Sequence, residues 1–187
     1  FDYMDKIIEN IPAGSDNLIC TPWMLGERCP VSSTTTRATL FNINAEHTRE
    51  HLMRAIYEGI GYNLRWILEN FRKDYGFSCQ SFRIIGGGAL DKAWMQIIAD
   101  ITGVEFCVVA DPRNAGALGG AIIALIGLGE ISSFENASEF VKAGAVYSPN
   151  KANAAVYDKQ FLSYKDIFYS LKKAYTKANL KRFTGRG

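Results

Sequence analysis

An α/β domain of three layers is what this sequence predicts, and three observations carry that expectation. Strand-like and helix-like segments alternate between residues 82 and 128. Three glycines, Gly86-Gly87-Gly88, stand where one such strand gives way to a helix. Upstream, Leu52, Ile56, Ile60, Leu64, Leu68 and Phe71 recur at three- and four-residue steps and draw one apolar stripe.

The elements follow in order. Residues 1–9 carry a short helical pattern that stops near Pro12 and Gly14. A brief apolar run at 18–21 fits a buried strand. The loop Gly26-Glu27-Arg28-Cys29-Pro30 and the Ser/Thr-rich stretch 32–36 are turn-prone. The apolar stripe predicts a helix over 48–71, with Thr48 as N-cap. Gly76 and Ser78 mark a loop. Residues 82–85 form the next strand, 91–101 a helix closed by Gly103, and 104–109 a β-branched strand. A turn at 111–114 leads into a helix at 115–128, whose glycines and alanines suit tight packing against a sheet. A long helical pattern over 152–180 ends in Lys172, Lys173, Lys177, Lys181 and Arg182, a solvated basic end favoured by the helix dipole. With no internal repeat or low-complexity linker, one domain is expected over 1–187.

Composition narrows the function classes. The chain has 187 residues, 48% hydrophobic and 21% charged, with a net charge of +2. That balance suits a globular protein and gives no basis for a nucleic-acid or membrane partner. The run 115–128 falls short of the roughly 18 residues that span a bilayer. Cys20, Cys29, Cys79 and Cys107 lack paired spacing and read as reduced thiols, hence a cytoplasmic location. The chain opens on Phe1 and reads as a piece of a longer protein.

The segment Phe82-Arg83-Ile84-Ile85-Gly86-Gly87-Gly88-Ala89 is the most informative. Glycine lets another group approach the backbone, and a following helix N-terminus offers unpaired N–H groups and partial positive charge. Together they make a site suited to phosphate. A tight turn with no ligand would use the same residues. The spacing matches neither the P-loop nor the G-x-G-x-x-G dinucleotide fingerprint, which disfavours a dinucleotide-dependent oxidoreductase. His47-Thr48-Arg49-Glu50-His51 matches H-x-x-E-H. With Thr48 as N-cap, however, His47 lies outside the helix, and no zinc is expected.

Four blocks in order resemble the FGGY family of carbohydrate kinases over about residues 18–130. They are the 22–30 loop around Gly26-Glu27-Arg28, the helix 52–62, Gly86-Gly87-Gly88-Ala89 with Trp94, Gln96, Ala99, Asp100 and Gly103, and Ala115-Gly116-Ala117-Leu118-Gly119-Gly120-Ala121. The resemblance implies the actin-like ATPase (ribonuclease H-like) fold, of which this chain is the second, nucleotide-binding half. It implies ATP/ADP as ligand with Mg2+, and a sugar substrate reached through an N-terminal domain absent here. A ketopentose such as xylulose is expected first and gluconate second, and a homodimer is compatible with the reading. Gly86, Gly87, Gly88 and Ala89 would meet the phosphate and ribose, with Asp91 or Lys92 toward the adenine. The family's D-x-G-T loop, its catalytic aspartate and its second phosphate loop have no counterpart in these residues, so the fragment is expected to be inactive. Two departures stand out: residues 31–39 replace an aspartate and an A-R-G run, and Asn114 replaces a glutamate. A stand-alone nucleotide-binding or regulatory module is the alternative. Replacing Gly88 by Val is expected to weaken nucleotide binding and leave the fold intact.

Overall fold

The computed structural model describes residues 2–180. Five helices and five strands appear among them: α1 (Asp2–Glu9), β1 (Ile19–Thr21), β2 (Thr39–Phe41), α2 (Arg49–Tyr75), β3 (Ser81–Ile84), α3 (Lys92–Thr102), β4 (Glu105–Val109), α4 (Ala115–Gly127), β5 (Ala143–Tyr147) and α5 (Ala154–Asn179). The main sheet has the order β3-β4-β5, parallel between β3 and β4 and antiparallel between β4 and β5. β1 and β2 form a separate antiparallel pair.

Side chains alternate across the main sheet. Phe82, Ile84, Phe106, Val108 and Tyr147 pack with Leu68 of α2 and with Met95 and Ile98 of α3. On the other face, Ile85 and Val109 look toward α4. The expected layering is therefore present.

Two close approaches set α2 in place. A Cβ on Gly59 would lie 2.2 Å from the Cys20 carbonyl oxygen, and one on Gly61 would lie 2.7 Å from Ile101. Only glycine lets the helix touch the β1 backbone at residue 59, and at residue 61 a side chain would have to push the end of Ile101 aside. The face buried this way differs from the expected stripe. Ile56 and Phe71 are 37% and 45% exposed, whereas Arg54, Ala55, Glu58, Tyr62 and Trp66 are buried. A helix clasped by β1, α3 and α5 buries more than one stripe, and its polar residues go inside where partners wait for them.

Those partners form one network. Glu58, fully buried, accepts from Gly14 N (2.9 Å), the Ser15 hydroxyl (2.8 Å), Arg54 Nε (2.8 Å) and the Tyr157 hydroxyl (3.1 Å). Arg54 also donates to the Ile8 carbonyl and to Tyr157. Burial pushes the Glu58 carboxyl above the usual range, while Arg54, the Gly14 N–H and the Ser15 hydroxyl pull it back. The Arg54 guanidinium and the Gly14 N–H can only donate, and both favour the carboxylate form. Above it, Trp23, Tyr62, Trp66, Tyr164 and Phe168 pack edge to face and tilted, with ring centroids 5.2 to 6.3 Å apart.

Residues 39–41 and 143–147 are strands that propensity did not reveal. Ala143-Gly144-Ala145 is poor strand material, and pairing with β4 imposes the conformation. α5 runs unbroken, and Lys181 and Arg182 lie outside the described residues. α4 departs from the tight packing expected of it. Only its Ile122 is buried, Ile123 is 61% exposed, and nothing lies within 4 Å of a Cβ built on Gly116, Gly119 or Gly120. A helix apolar all round needs neighbours on every side, and the described residues supply one side only.

Replacing Glu58 by Gln puts an N–H donor among donors and strips Arg54 of its counter-charge. The expected cost is about 3–5 kcal/mol of unfolding free energy, measured by urea denaturation. A loss below about 1 kcal/mol, the scale of an exposed pair, would show that the network contributes little.

Candidate functional site

β3 ends at Ile84, and the chain turns at Gly86, whose φ of 101° and ψ of 168° suit glycine alone. Gly86 N donates to the Pro112 carbonyl at 2.7 Å, which fastens the turn to the loop after β4. One 3-10 turn, Gly87–Leu90, then leads into α3. The expected strand–glycine–helix order is present, with the helix starting at Lys92 and closed by Gly103 in the left-handed region.

The four loop residues divide into two roles. Gly87 is exposed, and open space surrounds the position of a Cβ there. The N–H groups of Gly87 and Gly88 have no hydrogen-bond partner among the described residues. Gly88 is crowded on its side-chain face: a Cβ would lie 2.6 Å from the Trp94 ring. Ala89 is an internal support. Its N–H closes the turn onto the Gly86 carbonyl at 3.2 Å, and its methyl is buried.

Asp91 is not on the open face. It is fully buried and is the N-cap of α3, with Oδ1 accepting from Trp94 N at 2.9 Å and Oδ2 from the Tyr57 hydroxyl at 2.7 Å. Its carboxylate thus fills the place at the helix N-terminus where an outside anion was expected. The open donors belong to the glycine turn instead. An aspartate at the head of the apolar-periodic run 93–101 is an N-cap signal that the sequence carries. Lys92 is exposed and borders a cleft of about 540 Å3 together with Glu9, Arg54, Gln96 and Asn150.

The other motif blocks act as fasteners. Glu27 pairs its backbone with Ser33 at 2.8 Å in both directions, and its carboxylate accepts from Arg28 N at 2.7 Å. Asn63 of α2 joins this loop to the core: it donates to Glu27 and the Cys29 carbonyl and accepts from Trp23 Nε1 at 3.0 Å. The N-terminus of α4 borders a largely apolar cavity of about 300 Å3 with Ile85, Val109 and Phe140.

Thr48 caps α2 as expected, and His47 lies outside that helix. His51 Nδ1 faces Thr48 N at 3.2 Å and its Nε2 faces Asp16 at 3.0 Å, while His47 Nδ1 faces Asn44 N at 3.1 Å. The four cysteines are unpaired, and no described helix is long and apolar enough to cross a membrane.

The crowding at Gly88 corrects the expectation that Val there would spare the fold. Even Gly88→Ala must displace the Trp94 ring, at about 1–3 kcal/mol, whereas Gly87→Ala should stay within about 0.5 kcal/mol of the parent. Thermal unfolding of the two variants side by side measures this, and equal midpoints would contradict the packing described.

Residues 4–128 match the FGGY family of carbohydrate kinases, C-terminal domain. The chain is 34% identical over 173 residues to a xylulose kinase of Bacillus subtilis, covering 92% of this chain and 34% of that one. It is 29% identical over 183 residues to a gluconokinase of Bacillus licheniformis, covering 97% of this chain and 36% of the other. The crystal structure of ligand-bound xylulose kinase from Lactobacillus acidophilus superposes with a TM-score of 0.84 at 28% identity, over 95% of this chain and 36% of that one. The chain therefore spans about a third of the length of the curated relatives it matches, and its fold is the actin-like ATPase fold of these kinases. With the glycine turn, the 22–30 loop and α2 all lying within the matched span, the chain belongs to the FGGY family of carbohydrate kinases, in that family's C-terminal domain.

Proposed function

We propose that this chain is the nucleotide-binding half of a sugar kinase that moves the γ-phosphate of ATP to a hydroxyl of a ketopentose such as xylulose. One observation carries the reading: at the end of a parallel strand, Gly87 and Gly88 carry backbone N–H groups with no hydrogen-bond partner among the described residues, and Gly87 is exposed with open space beside it. Such donors fit phosphate oxygens and the ribose edge. Gly86 supplies the turn and Ala89 its support. Asp91 contributes through its cap, without touching the nucleotide. Lys92, exposed on the first turn of α3, is the side chain assigned to the adenine side.

Phosphoryl transfer depends on holding donor and acceptor in line and neutralising charge between them. This chain's share is to hold and orient the nucleotide. Magnesium supplies charge neutralisation in such reactions, but these residues do not fit a metal site: no group of three His, Cys, Asp or Glu side chains converges among the described residues. We assign Mg2+ to the phosphates and to residues beyond this chain, together with the base that takes the sugar proton. Residues 1–187 are taken as one domain of a cytoplasmic enzyme.

Xylulose is favoured by the identity of 34% to a xylulose kinase. Gluconate is the second reading, because the gluconokinase match reaches 97% of the chain. Either way, most of the residues that would contact the sugar are assigned to the N-terminal half of such a kinase. ATP should bind weakly to this chain by itself, because charges left in water interact several-fold more weakly than in a closed cleft. A coupled ADP-release assay with xylulose, and another with gluconate, should show no turnover, while titration calorimetry shows saturable ATP binding. Turnover by these residues alone would overturn the half-site reading.

A further inference from the structure

The glycine turn is not held by its own loop alone. Tyr57, a half-buried residue of α2, reaches it by several contacts. Its hydroxyl donates to Asp91 Oδ2 at 2.7 Å. Its ring lies on the Trp94 ring, with centroids 5.2 Å apart and planes inclined by 38°. Its carbonyl accepts from Trp94 Nε1 at 3.3 Å. Trp94 in turn presses on Gly88, where no side chain would fit beneath it. Asp91 N closes the turn onto the Gly88 carbonyl at 3.1 Å.

We infer that Tyr57 is a positioning residue for the nucleotide loop, one that sets the direction of the Gly87 and Gly88 N–H groups through Asp91 and Trp94. The inference rests on the proposed reading of this turn as the nucleotide site. The physical reason is the placement of the hydroxyl. A tyrosine serving only as core filler needs its ring. Here the oxygen supplies one of the two named donors to a carboxylate that is fully buried, and removing a donor from a buried charge costs more than removing one from a neutral group. A carboxylate short of a donor draws on its neighbours. Those neighbours are the first turn of α3 and, through Trp94, the ring that shapes Gly88. The consequence falls on loop geometry, some distance from Tyr57 itself.

The test is Tyr57→Phe, which keeps the ring, with ATP as probe and Asp91→Asn as the second variant. ATP affinity should fall about three- to tenfold in Tyr57→Phe, the size of one ordinary hydrogen bond passed on to the loop. The thermal midpoint without nucleotide should fall by a few degrees, the cost of a donor lost from a buried charge. Adding Tyr57→Phe to Asp91→Asn should weaken binding by less than it does in the parent, because the two act in series. Tryptophan emission supplies a further readout: a shift in Tyr57→Phe before nucleotide is added, which disappears when Trp94→Phe is also present, reports on Trp94 rather than on the buried Trp23 and Trp66. Unchanged affinity in Tyr57→Phe, with parental ATP binding intact, overturns the role of Tyr57 and leaves the nucleotide site standing. Equal effects in both backgrounds, or an unshifted emission spectrum, also overturn it. Failure of the parent protein to bind ATP at all takes down the site and this inference together.

Discussion

One buried carboxylate organises much of this chain. Glu58 collects donors from Gly14, Ser15, Arg54 and Tyr157, residues far apart in sequence. Left unsatisfied in the interior, such a charge would cost several kcal/mol, so the segments that satisfy it must come to α2 together. Gly59 and Gly61 then allow β1 and α3 to close on the same helix. Tyr57, the next residue back, points to Asp91 and Trp94. Within five residues, α2 thus anchors the N-terminal segment, the small sheet and the glycine turn.

Much of the site could be read in advance because its signals are local. A strand running into Gly86-Gly87-Gly88-Ala89, the cap at Thr48 and the stop at Gly103 depend on the backbone preferences of single residues, and each is where those preferences put it. What could not be read depends on partners. The strand at Ala143–Tyr147 exists because β4 offers an edge. The buried face of α2 holds Arg54 and Glu58 because distant groups satisfy them. In the sequence, Asp91 resembles a ligand contact because it begins a helix beside the glycines. Its side chain turns inward because Tyr57 supplies a donor there. Gly88 is glycine for the sake of Trp94, whereas the positive φ belongs to Gly86.

The surface left open is informative in the same way. α4 is apolar throughout, yet only Ile122 is buried, and Leu128 is 76% exposed. β3 is an edge strand with no neighbour on its outer side among the described residues. These features belong to a chain that matches about a third of its relatives' length.

The central claim is that nucleotide meets this chain through the backbone of the glycine turn, and amide hydrogen exchange read by NMR addresses it residue by residue. On addition of ATP with magnesium, the amides of Gly87 and Gly88, without a hydrogen-bond partner among the described residues, should become protected, while that of Ala89, already bonded to Gly86, should change little. Protection that leaves Gly87 and Gly88 untouched and appears instead along α4, beside the apolar cavity at Leu118 and Ile122, would contradict the account.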